Sequence, residues 1–136
     1  MNCRIFVEKK EAFRVEAESL KNDLNTNLGL NIKSLRLLNV YDLFNISEEL
    51  LEKSKYRVFG EIQTDNVYEE LDLSGKKYLA VEYLPGQFDQ RAEACAQCIA
   101  LISQKGAPVV RTARVFLLYG AVSETELLAI KQSIIN

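Results

Sequence analysis

The sequence predicts an α/β (α+β) fold in which strand–helix–strand–helix units occur twice, and three observations carry that expectation. Short runs of alternating apolar residues interchange with longer runs whose apolar residues recur every three or four positions. Ser, Asp and Gly stand where helices would begin and end. Residues of the first half also recur, in order, in the second.

Cys3–Lys9 alternates, with Cys3, Ile5 and Val7 on one side and Arg4, Phe6 and Glu8 on the other, which is a strand pattern. Phe13, Ala17, Leu20, Leu24 and Leu28 then form a helical stripe, and Gly29 is placed to end it in the left-handed conformation. A second strand is expected over Ser34–Asp42. Ser47 would cap a short helix reaching Ser54, with Glu48 and Glu49 at its positive end. Tyr56–Ile62 alternates again and reads as a third strand, followed by a polar connection over 65–76.

The order then repeats. Lys77–Leu84 reads as a strand broken by Pro85–Gly86, and Asp89 caps a helix with the stripe Ala92, Cys95, Ala96, Ile99 and Ile102. Lys105–Pro108 is a turn before a long strand over Val109–Tyr119. Ser123 and Glu126 have the spacing of a capping box before Leu127, Leu128, Ile130, Ile134 and Ile135. Val7-Glu8 matches Val81-Glu82, Arg36 and Tyr41 match Arg114 and Tyr119, and Ser47-Glu48 matches Ser123-Glu124. The expected organisation is a single domain over 1–136, with pseudo-repeats 1–64 and 77–136. A final strand is expected in the second repeat and not found, so the chain reads as a piece of something longer.

Each half is too small to bury a sufficient core alone. Helices can cover one face of each sheet, while Phe6, Tyr78, Ala80 and Phe116 are expected on the opposite face. Two small sheets packed face to face, with helices outside, would bury that second face.

Composition narrows the chemistry. The 17 basic and 19 acidic residues are scattered without a basic block, which argues against nucleic acid. No apolar run is long enough to span a membrane, and three cysteines with no secretory leader point to reduced thiols in the cytoplasm. Histidine is absent, removing the usual near-neutral acid–base group. Cys95 and Cys98 form a C-x-x-C pair, but on a helix stripe and without further ligands they read as small apolar residues rather than a redox or zinc site. Glu8 with Glu82, and Tyr41 with Tyr119, read as structural pairs rather than catalytic ones. No glycine arrangement forms a phosphate-cradling loop.

The segment Tyr83–Ala92 stands apart. Pro85 and Gly86 set a sharp bend, and Gln87, Asp89, Gln90 and Arg91 gather amide, carboxylate and guanidinium groups around a helix start. Pro85, Gly86, Gln87, Asp89 and Arg91 are therefore the candidate site, for docking a neighbouring domain or for binding a phosphorylated metabolite.

The run Val81-Glu82-Tyr83-Leu84-Pro85-Gly86-Gln87-Phe88-Asp89-Gln90-Arg91-Ala92 resembles the N-terminal domain of large-form phosphoribosylformylglycinamidine synthase. So do the opening Arg4–Lys10 and Ser34–Asp42, and the likeness runs in order across nearly the whole chain. The resemblance implies a domain built like a fused dimer of the small PurS subunit. It would brace the synthetase and glutaminase parts of a purine-biosynthesis ligase and help line a route for ammonia between them. It also implies that the ATP site, the magnesium ligands and the glutaminase triad lie in domains outside this chain. No catalytic residue, cofactor or metal is then expected here, while ATP and magnesium belong to the parent enzyme. Expected partners are the parent's other domains, with self-association as a further possibility and no nucleic acid or membrane. The alternative is a small regulatory domain sensing a metabolite at the Pro85–Arg91 loop.

Overall fold

A computed structural model describes residues 1–135. Strand β1 (Cys3–Lys9) leads through a single 3-10 turn at Glu11–Phe13 into helix α1 (Val15–Leu28), then β2 (Ile32–Phe44) and α2 (Glu48–Ser54). Next come β3 (Asp65–Tyr68) and β4 (Lys77–Glu82), then α3 (Gln90–Ser103), β5 (Val109–Gly120) and α4 (Glu124–Ile135). The fold is α+β, with one antiparallel five-stranded sheet in the order β3-β1-β2-β5-β4.

Local chemistry places most of these boundaries. Gly29 closes α1 at φ 64, and its N–H donates to the Asn25 carbonyl. Ser47 Oγ accepts from the Leu50 N–H at 3.1 Å. At α4 the capping box is reciprocal: Ser123 Oγ accepts from Glu126 N, and Glu126 Oε1 accepts from Ser123 N. The α1 stripe is shorter than its sequence pattern, because Phe13 falls in the 3-10 turn and is exposed, as is Leu28, while Ala17 and Leu24 are buried.

Two expectations for 56–76 are overturned. Tyr56–Ile62 is not a strand: residues Lys55–Phe59 continue α2 as a wide helical turn, closed by Gly60 N donating to Lys55 O at 3.3 Å. Leu51 and Phe59 lie two helical steps of four apart, so the turn brings both into one core cluster with Ile5 and Tyr41. Alternation over so few residues also fits that helical spacing. The third strand is instead β3, inside the segment expected to be only a connection.

The expected pair of facing sheets is replaced by one sheet. β2 and β5, the second strands of the two halves, pair edge to edge from Ile32 with Gly120 to Phe44 with Val109. Long unpaired strand edges are costly, and this pairing removes two of them at once. One face carries two helix-packed clusters. Ile5, Leu43, Leu51 and Ile99 form the first, and Leu24, Leu35, Phe116 and Ile130 the second. Phe116 thus faces the helices, contrary to expectation. Phe6 is buried on the other face with Leu38, Val40, Val115 and Leu117, and no helix residue joins that cluster.

The cover for this second face comes from the chain between β3 and β4. Those strands lie at opposite edges of the sheet, so residues 69–76 must cross about 19 Å, four inter-strand spacings. Leu71 and Leu73 pack down on the cluster as they cross. Tyr78 and Ala80, further along that face, remain exposed.

The pairing of Arg36 and Tyr41 with Arg114 and Tyr119 also fails. Register places Val7, Asn39, Arg114 and Val81 in one row across β1, β2, β5 and β4. Arg36 and Tyr119 then face away from the helices, whereas Tyr41 and Arg114 face them. The sequence match was out by an odd number of residues, which changes the face on a strand.

Leu71→Ser with Leu73→Ser tests the crossing segment as a layer. Each leucine is half-buried, so the double variant is expected to lose about 2 kcal/mol in urea unfolding and to gain dye binding at the uncovered cluster. Unchanged stability would show that the cluster does not depend on this cover.

Candidate functional site

The loop between β4 and α3 is ordered by its own side chains. Gln87 folds back so that its Oε1 accepts from the Leu84 N–H at 2.6 Å, and Gln87 N donates to the Leu84 carbonyl at 3.0 Å. Gly86 has φ 87, the left-handed region that makes glycine the fitting residue after Pro85. Pro85, Gly86, Gln87 and Asp89 line one groove, with Pro85, Gly86 and Gln87 exposed at the tip, whereas Arg91 lines a second groove that shares only Gln87 among the five.

Asp89 does more than cap. Its Oδ1 accepts from Ala92 N at 2.9 Å, while Oδ2 accepts from the Thr112 N–H at 2.8 Å. The buried Thr112 hydroxyl also donates to the same carboxylate. One side chain thus fixes both the start of α3 and its distance from β5.

The loop lifts Tyr83, Leu84 and Phe88 into solvent, with relative exposures of 47%, 68% and 64%. One groove beside it is lined by Tyr83, Gln87, Asp89, Arg111 and Thr112. A second, of about 660 Å³, is bounded by β4 and β5 and is lined by Tyr83, Leu84, Arg91, Arg114 and Ile134. Arg114 donates to Glu16 at 2.6 Å, yet its Nε is buried with no hydrogen-bond partner. Its register partner Asn39 likewise has a buried, unpartnered Oδ1. No local pattern signals this pair, because only the β2–β5 register brings the two residues together.

The other sequence candidates separate. Cys95 is buried and Cys98 exposed, so the two thiols face different surroundings. Burial, followed by the nearby Cys98 and Asp89, pushes the Cys95 thiol up from the ordinary 9.0 to about 12. Among the described residues no group of three His, Cys, Asp or Glu side chains could hold a metal ion.

Glu8 and Glu82 lie on β1 and β4 with two strands between them, about 14 Å apart in the sheet, beyond the separation at which carboxylates cooperate in catalysis. Glu8 is fully buried. Arg36 grips it through two hydrogen bonds of 2.9 and 2.8 Å, Arg14 lies 3.6 Å away, and Tyr68 donates to it at 3.3 Å. That hydrogen bond to Glu8 raises Arg36 above its ordinary value, with burial opposing. Tyr41 stacks at a tilt on Phe59, 5.2 Å between centroids, and Tyr119 accepts from Arg36 on the opposite face.

Asp89→Ala is expected to cost about 2–3 kcal/mol, from a lost cap and a stranded buried hydroxyl, and to make the loop more susceptible to proteolysis. Asp89→Asn, which keeps an acceptor for Ala92 N, should cost less; equal losses would refute the capping account. For the cysteines, iodoacetamide at pH 8 should alkylate Cys98 in the folded protein and leave Cys95 untouched until unfolding. The raised thiol of Cys95 contributes stability fully below pH 9, and that contribution disappears as pH climbs through about 12. Rapid labelling of Cys95 at pH 8 would contradict this.

No family model, curated protein or solved structure matches the chain.

Proposed function

We propose that this chain is a non-catalytic interaction domain of a phosphoribosylformylglycinamidine synthase, bracing the enzyme's synthetase and glutaminase parts in the cytoplasm. The observation that carries the reading is the Tyr83–Phe88 loop. It exposes three large apolar side chains within six residues while Gln87 and Asp89 hold its backbone fixed. Exposed apolar side chains on a preorganised loop favour association over solvent. The loop is also the part of the sequence in which the resemblance is most distinctive. ATP and magnesium would be bound by the parent enzyme's other domains, not by these residues. The facing-sheet arrangement of a PurS dimer has no counterpart in the single sheet of this chain. In this reading the open part of the second face, at Tyr78 and Ala80, meets a neighbouring domain instead.

A second reading, a domain that senses an anionic metabolite, draws on Arg91 and on the unpartnered Nε of Arg114 in the groove beside the loop.

Leu84→Asp with Phe88→Asp should leave the melting temperature of the isolated chain within a few degrees, since both side chains are exposed. In the full synthase the same changes should weaken association of this domain with the remainder by at least about tenfold. Undiminished assembly would reject the docking role. If Arg91→Ala abolished a metabolite-induced rise in melting temperature while assembly stayed intact, the sensor reading would replace it.

A further inference from the structure

The two edges of the sheet differ in a way that identifies a binding surface. β3 forms one edge: it is only four residues long, runs antiparallel to β1 from Phe6 to Lys9, and is followed by Glu69 and Glu70. The other edge is β4, whose outer side has no strand beside it among the described residues. β4 carries Leu79, Ala80 and Val81, with no proline and no bulge in its pairing to β5. Natural edge strands are usually blunted by such devices.

The register states what fits there. The order β1-α1-β2-α2 recurs as β4-α3-β5-α4, and Val7 and Val81 share one row with Asn39 and Arg114 between them, so an approximate two-fold axis relates β1 to β4. The β1 residues that hold β3 thereby correspond to Ala80, Val81, Glu82 and Tyr83. Those four residues line the groove of about 660 Å³. On β3, Val67 pairs with Val7 and turns to the helix side, beside Phe59 and Ile5. Val81 lines the groove together with Ile134. The groove also holds Arg91, which has no hydrogen bond or ion pair among the described residues; the Arg114 guanidinium beside it is already bonded to Glu16, and Glu82 is a further acidic group there.

We propose that the outer edge of β4 binds an extended, acidic peptide segment as a sixth, antiparallel strand over Ala80–Glu82, reaching the adjoining Tyr83. An apolar side chain of that segment would lie opposite Val81, and a carboxylate would lie at Arg91. Main-chain pairing supplies affinity and the alternate side chains supply selectivity. This inference stands apart from the assignment to a synthase, because it rests on the sheet register and the groove alone.

The probe is a synthetic peptide with the sequence of residues 63–70, which carries Asp65, Asn66, Val67 and Tyr68 and three carboxylates. Added to the whole chain, it should bind with a dissociation constant below about 1 mM and slow amide exchange along Ala80–Tyr83. Arg91→Ala should weaken it about three- to fivefold, the range for a half-exposed ion pair. A scrambled peptide should give no protection. Protection confined to β1, showing exchange with the chain's own β3, or no binding at millimolar peptide would overturn the proposal. So would succinate reproducing the shifts at Arg91 and Arg114 without protecting β4, which would make the groove a small-molecule site.

Discussion

The antiparallel pairing of β2 with β5 is the contact on which the rest of the molecule depends. Each half brings a strand and a helix that leave a long apolar strand with one free edge. Joining the two along twelve consecutive partners, apart from one irregularity near Ile32, yields a sheet wide enough to seat four helices on one face. It also creates the second, helix-free face. That face could have called for another sheet, but the obligatory crossing from β3 to β4 carries Leu71 and Leu73 over it. Layering here follows from connectivity: a segment that must traverse the sheet also shields it.

The same pairing organises polarity. The central row holds Asn39 and Arg114 between the two helix-packed clusters, each with a buried polar atom that lacks a partner. Burying such groups costs free energy unless something satisfies them. By contrast Glu8, equally removed from solvent, is satisfied by Arg36 and Tyr68 and ties β1 to its neighbours β2 and β3. On the β3–β1 side the buried charge is paired, while the β4 side carries Arg91 without a bond among the described residues and the exposed Tyr83–Phe88 loop. Association at one end only is the expected use of such an asymmetry.

Much of this was legible in the residues. Caps and stops chosen by local hydrogen bonding, at Gly29, Ser47, Asp89 and Ser123, fall where the sequence put them, because their partners lie within four residues. The long strands were placed to within two or three residues. What escaped were features set by distant partners. The turn at Lys55–Phe59 is helical because Phe59 joins Leu51 in the core, and a short alternating run cannot announce that. Asp89 was readable as a cap, but its second partner, Thr112, is known only once α3 lies on β5. The face of Arg114 depends on a register that no local pattern encodes.

The crossing over 69–76 and the β2–β5 pairing together constrain how the chain is born. Ile32–Phe44 can find its partner only after Val109–Gly120 has left the ribosome, so the first half emerges with its longest strand unmatched on one side. Pairings so distant along the chain are slow to form, since loop entropy is lost before any contact rewards it. During that interval the nascent half offers a sticky strand to other nascent chains, a period in which a chaperone would protect it.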